Sequence, residues 1–222
     1  MATIINIDSS LETASVSIAK NGIILQHFTN DAQKQHASFL HSAIQKLTND
    51  LYISFKEIDA IGCTIGPGSY TGLRVGLAAA KGFCYALNIP LITIGTLEAM
   101  AHSMQAQQQD RTLHYCPMID ARRMEVYTAL YNQHLEELVA ACAIVINKQF
   151  FEEEMFNYKI LFFGNGMGKF KNIVTNDQAL FATVGPIYNS INMLSYKKFS
   201  EKIFAPLAAA APLYAKEFYN GI

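Results

Sequence analysis

Three glycines within seven residues, Gly66-Pro67-Gly68-Ser69-Tyr70-Thr71-Gly72, constrain this chain more than any other feature. The apolar run Ile58 to Ile65 precedes them and reads as a buried strand. A run with helical spacing follows to about Leu87, where Asn88 and Pro90 are stop signals. A strand that enters a helix through such a turn is an α/β junction. Glycine there lets the backbone turn tightly and come close to something else. The spacing is G-x-G-x-x-x-G, which is not the dinucleotide fingerprint, and the Gly-Lys-Ser/Thr ending of a P-loop is missing. Ser69 or Thr71 can cap the helix. Unpaired N–H groups at that helix start, with Arg74 one turn in, are suited to an anion. Gly66, Gly68, Ser69, Thr71 and Arg74 therefore read either as an anion site or as a tight turn that serves packing alone.

The helix after this turn carries Gly72, Gly76 and Ala80 at i, i+4 and i+8, one stripe of small residues. Leu73, Leu77, Ala80, Cys84 and Leu87 add a 4-3-4-3 seam like that of a coiled coil. Glycine inside a helix costs about 0.5–1 kcal/mol relative to alanine, so the stripe needs a reason. Close packing of another element is that reason, whether internal or from another subunit. An earlier helix shows Phe39, Leu40, Ala43, Ile44, Leu47 and Leu51 at helical spacing.

The rest of the chain alternates strands and helices. Thr3 to Ile7 reads as a strand ending at Asp8, Ala14 to Ala19 as a second, and Asn21-Gly22 as a hairpin turn into Ile23 to Phe28. Leu91 to Ile94 is a short strand, and Thr96 caps a helix through Met104. Residues 105–110, Gln-Ala-Gln-Gln-Gln-Asp, lack an apolar face and read as a linker between lobes 1–104 and 111–222. In the second part, Tyr115 to Ile119, Glu125 to Tyr131, Leu138 to Ile146, Lys159 to Phe163 and a stretch near Phe181 to Val184 read as strands. A helix around Ser190 to Ile203 follows. Ile7-Asp8 and Ile119-Asp120 each end a strand, and each is followed by a turn and a reversing strand. That is the opening hairpin of a duplicated two-lobe α/β fold.

Composition limits the chemistry. Hydrophobic residues are 51% of the 222 and charged residues 16%, a globular balance. The formal net charge of -1 provides no field that would draw the whole protein onto nucleic acid or an anionic membrane. Cys63, Cys84, Cys116 and Cys142 are far apart and sit among apolar neighbours, as buried reduced thiols do. His36 and His41 are five apart, and neither H-E-x-x-H nor H-x-x-x-H occurs, so no metal site is expected. No basic leader precedes Ile4, and the longest apolar runs are strand-length, so a protein inside the cell and in water is expected. Asp8, Ser9 and Ser10 occupy the place where an actin-like ATPase holds its metal and phosphate. The turn Ser9-Ser10-Leu11-Glu12 has no glycine to admit a phosphate, so these positions read as vestigial. No G-x-S-x-G elbow is present, and a protease is unsupported.

Taken in order, Ile7-Asp8-Ser9-Ser10-Leu11-Glu12, Gly66 to Gly76, Ala79-Ala80-Lys81-Gly82, Thr96-Leu97-Glu98-Ala99 and Asp120-Ala121-Arg122-Arg123-Met124-Glu125-Val126-Tyr127 closely resemble the bacterial TsaB family, also called YeaZ. Leu11 stands where that family usually has Thr, and Met124 where Gly is usual. The resemblance implies a two-lobed, actin-like α/β fold of the sugar kinase and Hsp70 class, with ribonuclease H-like lobes. It implies a non-catalytic scaffold in the synthesis of threonylcarbamoyladenosine next to the tRNA anticodon. Catalysis would belong to a TsaD-type partner, with a TsaE-type ATPase also required. ATP and metal would belong to those subunits, with no cofactor held tightly here. Pairing would use the first two long helices, about 35–51 and 72–87. The expected interface is then Phe39, Leu40, Ala43, Ile44, Leu47, Gly72, Leu73, Gly76, Leu77 and Ala80. A homodimer when alone, tRNA reached through the complex and a cytoplasmic location complete the expectation. The competing reading is an actin-like small-molecule kinase or ATPase, which requires a glycine-bearing phosphate loop after Asp8 and a carboxylate base.

Overall fold

The structure, a computed structural model, describes residues 1–31 and 36–215, so Gln35, the expected start of the first helix, and residues 216–222 lie outside it. It contains two five-stranded sheets. In the first, β1 (Thr3–Asp8), β2 (Ala14–Lys20), β3 (Ile23–Asn30), β4 (Ala60–Gly66) and β5 (Leu91–Gly95) take the order β3-β2-β1-β4-β5. β1 runs antiparallel to β2 and parallel to β4. In the second, β6 (His114–Asp120), β7 (Glu125–Tyr131), β8 (Glu137–Val145), β9 (Ile160–Phe163) and β10 (Ala179–Ala182) take the order β10-β9-β6-β7-β8. Again the first strand is antiparallel to its hairpin partner and parallel to the next. The two orders are the same topology, so the repeated Ile-Asp hairpin opens a true duplication. The fold is the two-lobed, actin-like α/β architecture.

In the first sheet, helices α1 (His36–Asp50) and α2 (Tyr70–Leu87) pack on one face. Alternation along the strands sends Ile5, Ile7, Val16, Ile18, Ile61 and Cys63 to that face, where they meet Leu40, Ile44, Leu47, Leu77 and Ala80. β4 lies between two parallel neighbours with both faces covered, which explains its near-continuous apolar sequence. α2 starts at Ser69, whose hydroxyl accepts from the Gly72 N–H at 3.3 Å, and ends at Asn88 in the left-handed conformation.

The expected lobe boundaries do not hold. Among the described residues, one compact unit is 1–31 and 36–96 together with 188–213, and the other is 97–187 together with 214–215. α3 (Thr96–Gln107) continues through the first half of the expected linker and goes with the second unit from Leu97 onward. Glutamines are good helix formers, and Met104 at 0% exposure anchors that last stretch. The carboxy-terminal helix, α6 (Tyr188–Ser200), returns to the first sheet. Two short helices, α4 (Glu152–Asn157) and α5 (Met167–Lys171), complete the second unit. Among the described residues no helix is long and apolar enough to cross a membrane.

Candidate functional site: the closed aspartate turn and helix α2

Asp8 ends β1 and is 3% exposed. Its Oδ1 accepts from the Ser10 N–H at 3.0 Å, the Ser10 hydroxyl at 2.7 Å and the Thr64 hydroxyl at 2.7 Å. Thr64 comes from the adjoining parallel strand β4, and periodicity gave no hint of its role. A buried carboxylate needs such donors to stay ionised. Burial first, and then the Asp8 charge, push the neighbouring Cys63 thiol far above its usual range, so Cys63 is no nucleophile.

The glycine turn closes over this aspartate turn. The Ser69 N–H donates to the Ser10 carbonyl at 2.7 Å, and the Ser9 hydroxyl donates to the Gly72 carbonyl at 2.8 Å. A Cβ at Gly68 would stand 2.1 Å from the Ser10 carbonyl oxygen, and one at Gly72 would stand 2.0 Å from that of Ser9. A Cβ at Gly76 would meet the Ser9 hydroxyl at 2.3 Å. Sequence brought Asp8, Ser9 and Ser10 and the glycine segment forward as separate features, and the fold joins them into one. Two donors at the start of α2 are engaged internally: Ser69 N–H with Ser10, and Gly72 N–H with the Ser69 hydroxyl. That geometry fits the packing reading of Gly66, Gly68 and Ser69. Thr71 and Arg74 are exposed, and the Arg74 guanidinium lies 4.1 Å from the centre of the Tyr70 ring.

This arrangement corrects the interface drawn from the helical seam. Leu40, Ala43, Ile44, Leu47, Gly72, Leu73, Gly76, Leu77 and Ala80 are all buried, and Phe39 alone is partly exposed. The small-residue stripe does receive a close neighbour, and that neighbour is the turn after β1. The opposite face of α2 presents Thr71, Arg74, Ala78, Gly82 and Tyr85 to the surface, at spacings of three and four. Tyr85 is 84% exposed, and a Cβ at Gly82 would meet nothing within 4 Å. A mid-helix glycine in open space has no intramolecular reason to be there. Ala78 and Gly82 form a second stripe of small residues one turn apart, visible in the sequence spacing alone.

The second unit repeats the device in looser form. Gly66 ends β4 at φ +117°, and Gly164 follows β9 at φ +101°, both in a region that favours glycine. A Cβ at Gly164 would meet the Met118 carbonyl oxygen at 2.4 Å. The Gly166 N–H donates to that carbonyl at 2.9 Å, and the Asn165 side chain accepts from the Asp120 N–H at 2.9 Å. Unlike Asp8, Asp120 is exposed and pairs with Lys169 at 2.7 Å. Arg122 and Arg123 sit in the turn with positive φ. The bond from the Lys169 ammonium, then the Arg122 N–H, holds the Asp120 carboxyl below its usual range despite some desolvation. A carboxyl depressed in the folded state adds stability above its unfolded range, and that stability is lost as pH falls through the folded value. Lys169→Met should therefore lower stability at neutral pH by up to about 1 kcal/mol. The difference from wild type should shrink by about pH 3. Thermal melts of the two proteins across that range check it.

A family model described as "TsaD: tRNA N6-adenosine threonylcarbamoyltransferase" matches residues 24–217. The "tRNA threonylcarbamoyladenosine biosynthesis protein TsaB" of Bacillus subtilis is 32% identical over 140 residues, covering 62% of this chain and 59% of that protein. The chain belongs to this family, in its TsaB (YeaZ) branch. The protein of the same description from Escherichia coli is 31% identical over 130 residues, 59% of this chain and 55% of that one. The matches thus span between half and two thirds of these two relatives. A solved YeaZ from Pseudomonas aeruginosa superposes with a TM-score of 0.77 at 23% identity, over 96% of this chain and 100% of that one. A second solved structure, described as similar to peptidase YeaZ from the same organism, gives 0.81 at 23% identity, over 97% and 100%. These two likenesses bear on the TsaB fold alone.

Proposed function

We propose that this chain is the non-catalytic scaffold subunit of a tRNA threonylcarbamoyladenosine synthase, pairing with a TsaD-type catalytic subunit through the outer faces of α1 and α2. The observation that carries the reading is the closed turn at Asp8. The turn meets Gly68 and Gly72 at backbone distance, where an actin-like ATPase needs room for phosphate. The Asp8 Oδ1 accepts bonds from Ser10 and Thr64. The names of its relatives support the pathway. The exposed stripe Thr71, Arg74, Ala78, Gly82 and Tyr85 supports the pairing face, because it lets a partner helix come close beside one large aromatic anchor. On this reading ATP and metal belong to the TsaD-type subunit and a TsaE-type ATPase. tRNA is engaged by the assembled complex, and the chain alone forms a homodimer in the cytoplasm through the same face.

The purified chain is expected to hydrolyse ATP no faster than buffer. Phosphate release measured across a size-exclusion peak tests this. Turnover that follows the peak and disappears in Asp8→Asn would overturn the non-catalytic reading.

A further inference from the structure

The turn between β6 and β7 carries two arginines in a conformation that arginine does not favour. Arg122 (φ +72°) and Arg123 (φ +46°) are both left-handed, where glycine or asparagine is usual. Such backbone costs energy and persists only where the surroundings impose it. Here they do. The Ala121 N–H donates to the Glu125 carbonyl at 3.1 Å, the Glu125 N–H to the Arg122 carbonyl at 3.0 Å, and the Arg122 N–H to Asp120 Oδ1 at 2.6 Å. From α5, the Lys169 ammonium donates to that same Oδ1 at 2.7 Å and to the Glu125 carbonyl at 2.9 Å.

The groups this turn leaves over are donors. Among the described residues, the N–H groups of Arg123 and Met124 make no hydrogen bond, and neither guanidinium forms a hydrogen bond or an ion pair. Arg122, Arg123 and Met124 are exposed, so packing does not call for arginine at either position. The backbone changes hand after Arg123, because Met124 is not left-handed. Two successive free N–H groups at such a change form a concave nest for an anion. Asp120, the carboxylate that ends β6, is held by Lys169, which offsets its charge. An exposed ion pair with one small anion gains little in water. Arginines in an open turn gain more on a strand of linked phosphates, where each planar fork can take a phosphate and several bind at once.

We propose that the turn 121–124 is an RNA contact of this chain, its two arginines and two free N–H groups receiving backbone phosphates of the tRNA. This rests on the reading that the assembled complex engages tRNA. A formal net charge of -1 draws RNA to the whole chain only weakly, so the contact acts once the complex has brought the tRNA close. Phosphate contacts of this kind set the position of the nucleic acid and carry no sequence information.

Filter binding of tRNA to the complex of this chain with its cognate TsaD-type protein, titrated with salt, tests the proposal. Arg122→Gln/Arg123→Gln should weaken binding roughly tenfold. It should also lower the slope of log affinity against log salt by roughly 1.5 to 2, the share of two phosphate contacts. Arg122→Lys/Arg123→Lys should restore most of the slope. Lys56→Gln/Lys148→Gln removes the same charge from exposed positions elsewhere and should change neither quantity much. Inorganic phosphate at matched ionic strength should not compete. An Arg122→Gln/Arg123→Gln chain with a wild-type melt that binds tRNA with wild-type affinity and slope would overturn the proposal. So would an equal loss in the lysine pair, which would trace the effect to net charge. Competition by inorganic phosphate would make the turn a site for a free anion and overturn the RNA contact. If the complex binds no tRNA, the reading of its function fails, and tRNA binding by the chain alone at low salt decides the turn. Loss of that binding in Arg122→Gln/Arg123→Gln keeps the proposal, while no binding by wild type, or no difference, overturns it.

Discussion

Gly72→Ala will destabilise the first unit by about 3 kcal/mol, the upper end of ordinary overpacking. The added carbon would lie 2.0 Å from the Ser9 carbonyl oxygen, and a backbone oxygen in a buried turn cannot swing aside as a side chain can. The Ser9 hydroxyl already bonds the Gly72 carbonyl at 2.8 Å, so moving the turn also breaks that bond. Alanine is the better helix former by about 1 kcal/mol, and this gain is far too small to offset the clash. The same substitution at Gly82 isolates the propensity effect. That position is exposed on the same helix with nothing within 4 Å, so Gly82→Ala should stabilise by up to about 1 kcal/mol. A chain of this size gains or loses roughly 2–4 °C of unfolding midpoint per kcal/mol. The two variants should therefore move in opposite directions from wild type. Equal shifts would mean that the glycine turn is not packed on the aspartate turn.

That pair of glycines also marks what sequence could reveal. The Ile-Asp repeat at Ile7-Asp8 and Ile119-Asp120 exposed the duplication, because a strand that ends in a short turn and reverses leaves a local signature. The glycine segment announced a close approach for the same reason. Helical spacing, however, says which residues share a face and nothing about what that face meets. Gly72, Gly76 and Ala80 share theirs with Leu73, Leu77 and Cys84, an apolar company that suits a core as well as a partner interface. The stripe through Ala78 and Gly82 runs among Thr71, Arg74 and Tyr85, the mixed company of a surface. Thr64 as a donor to Asp8 lay beyond reach, since it depends on the register of two parallel strands 56 residues apart in sequence. The return of 188–213 to the first unit is likewise a long-range fact. The polar residues Asn6, Ser17 and Asn192 that key α6 there look like ordinary surface positions until the strands are aligned.

Gly82→Leu carries the largest expected effect on pairing. The side chain would project from the outer face of α2 into open space, and leucine favours the helix, so the isolated protein should fold with equal or greater stability. If a partner helix seats against Ala78 and Gly82 with Tyr85 as anchor, that side chain must push it away. Overpacking of about 1–3 kcal/mol corresponds to roughly a tenfold to hundredfold loss of affinity. Gly76→Leu behaves differently, because it strikes Ser9 inside the unit and fails as a fold before any partner is involved. The decisive measurement is the dissociation constant of the cognate TsaD-type protein with wild type and with Gly82→Leu, alongside the thermal melt of each. An unchanged or higher melting temperature is expected, with a loss of affinity of about tenfold or more. A well-folded Gly82→Leu that pairs as tightly as wild type would contradict pairing through this face.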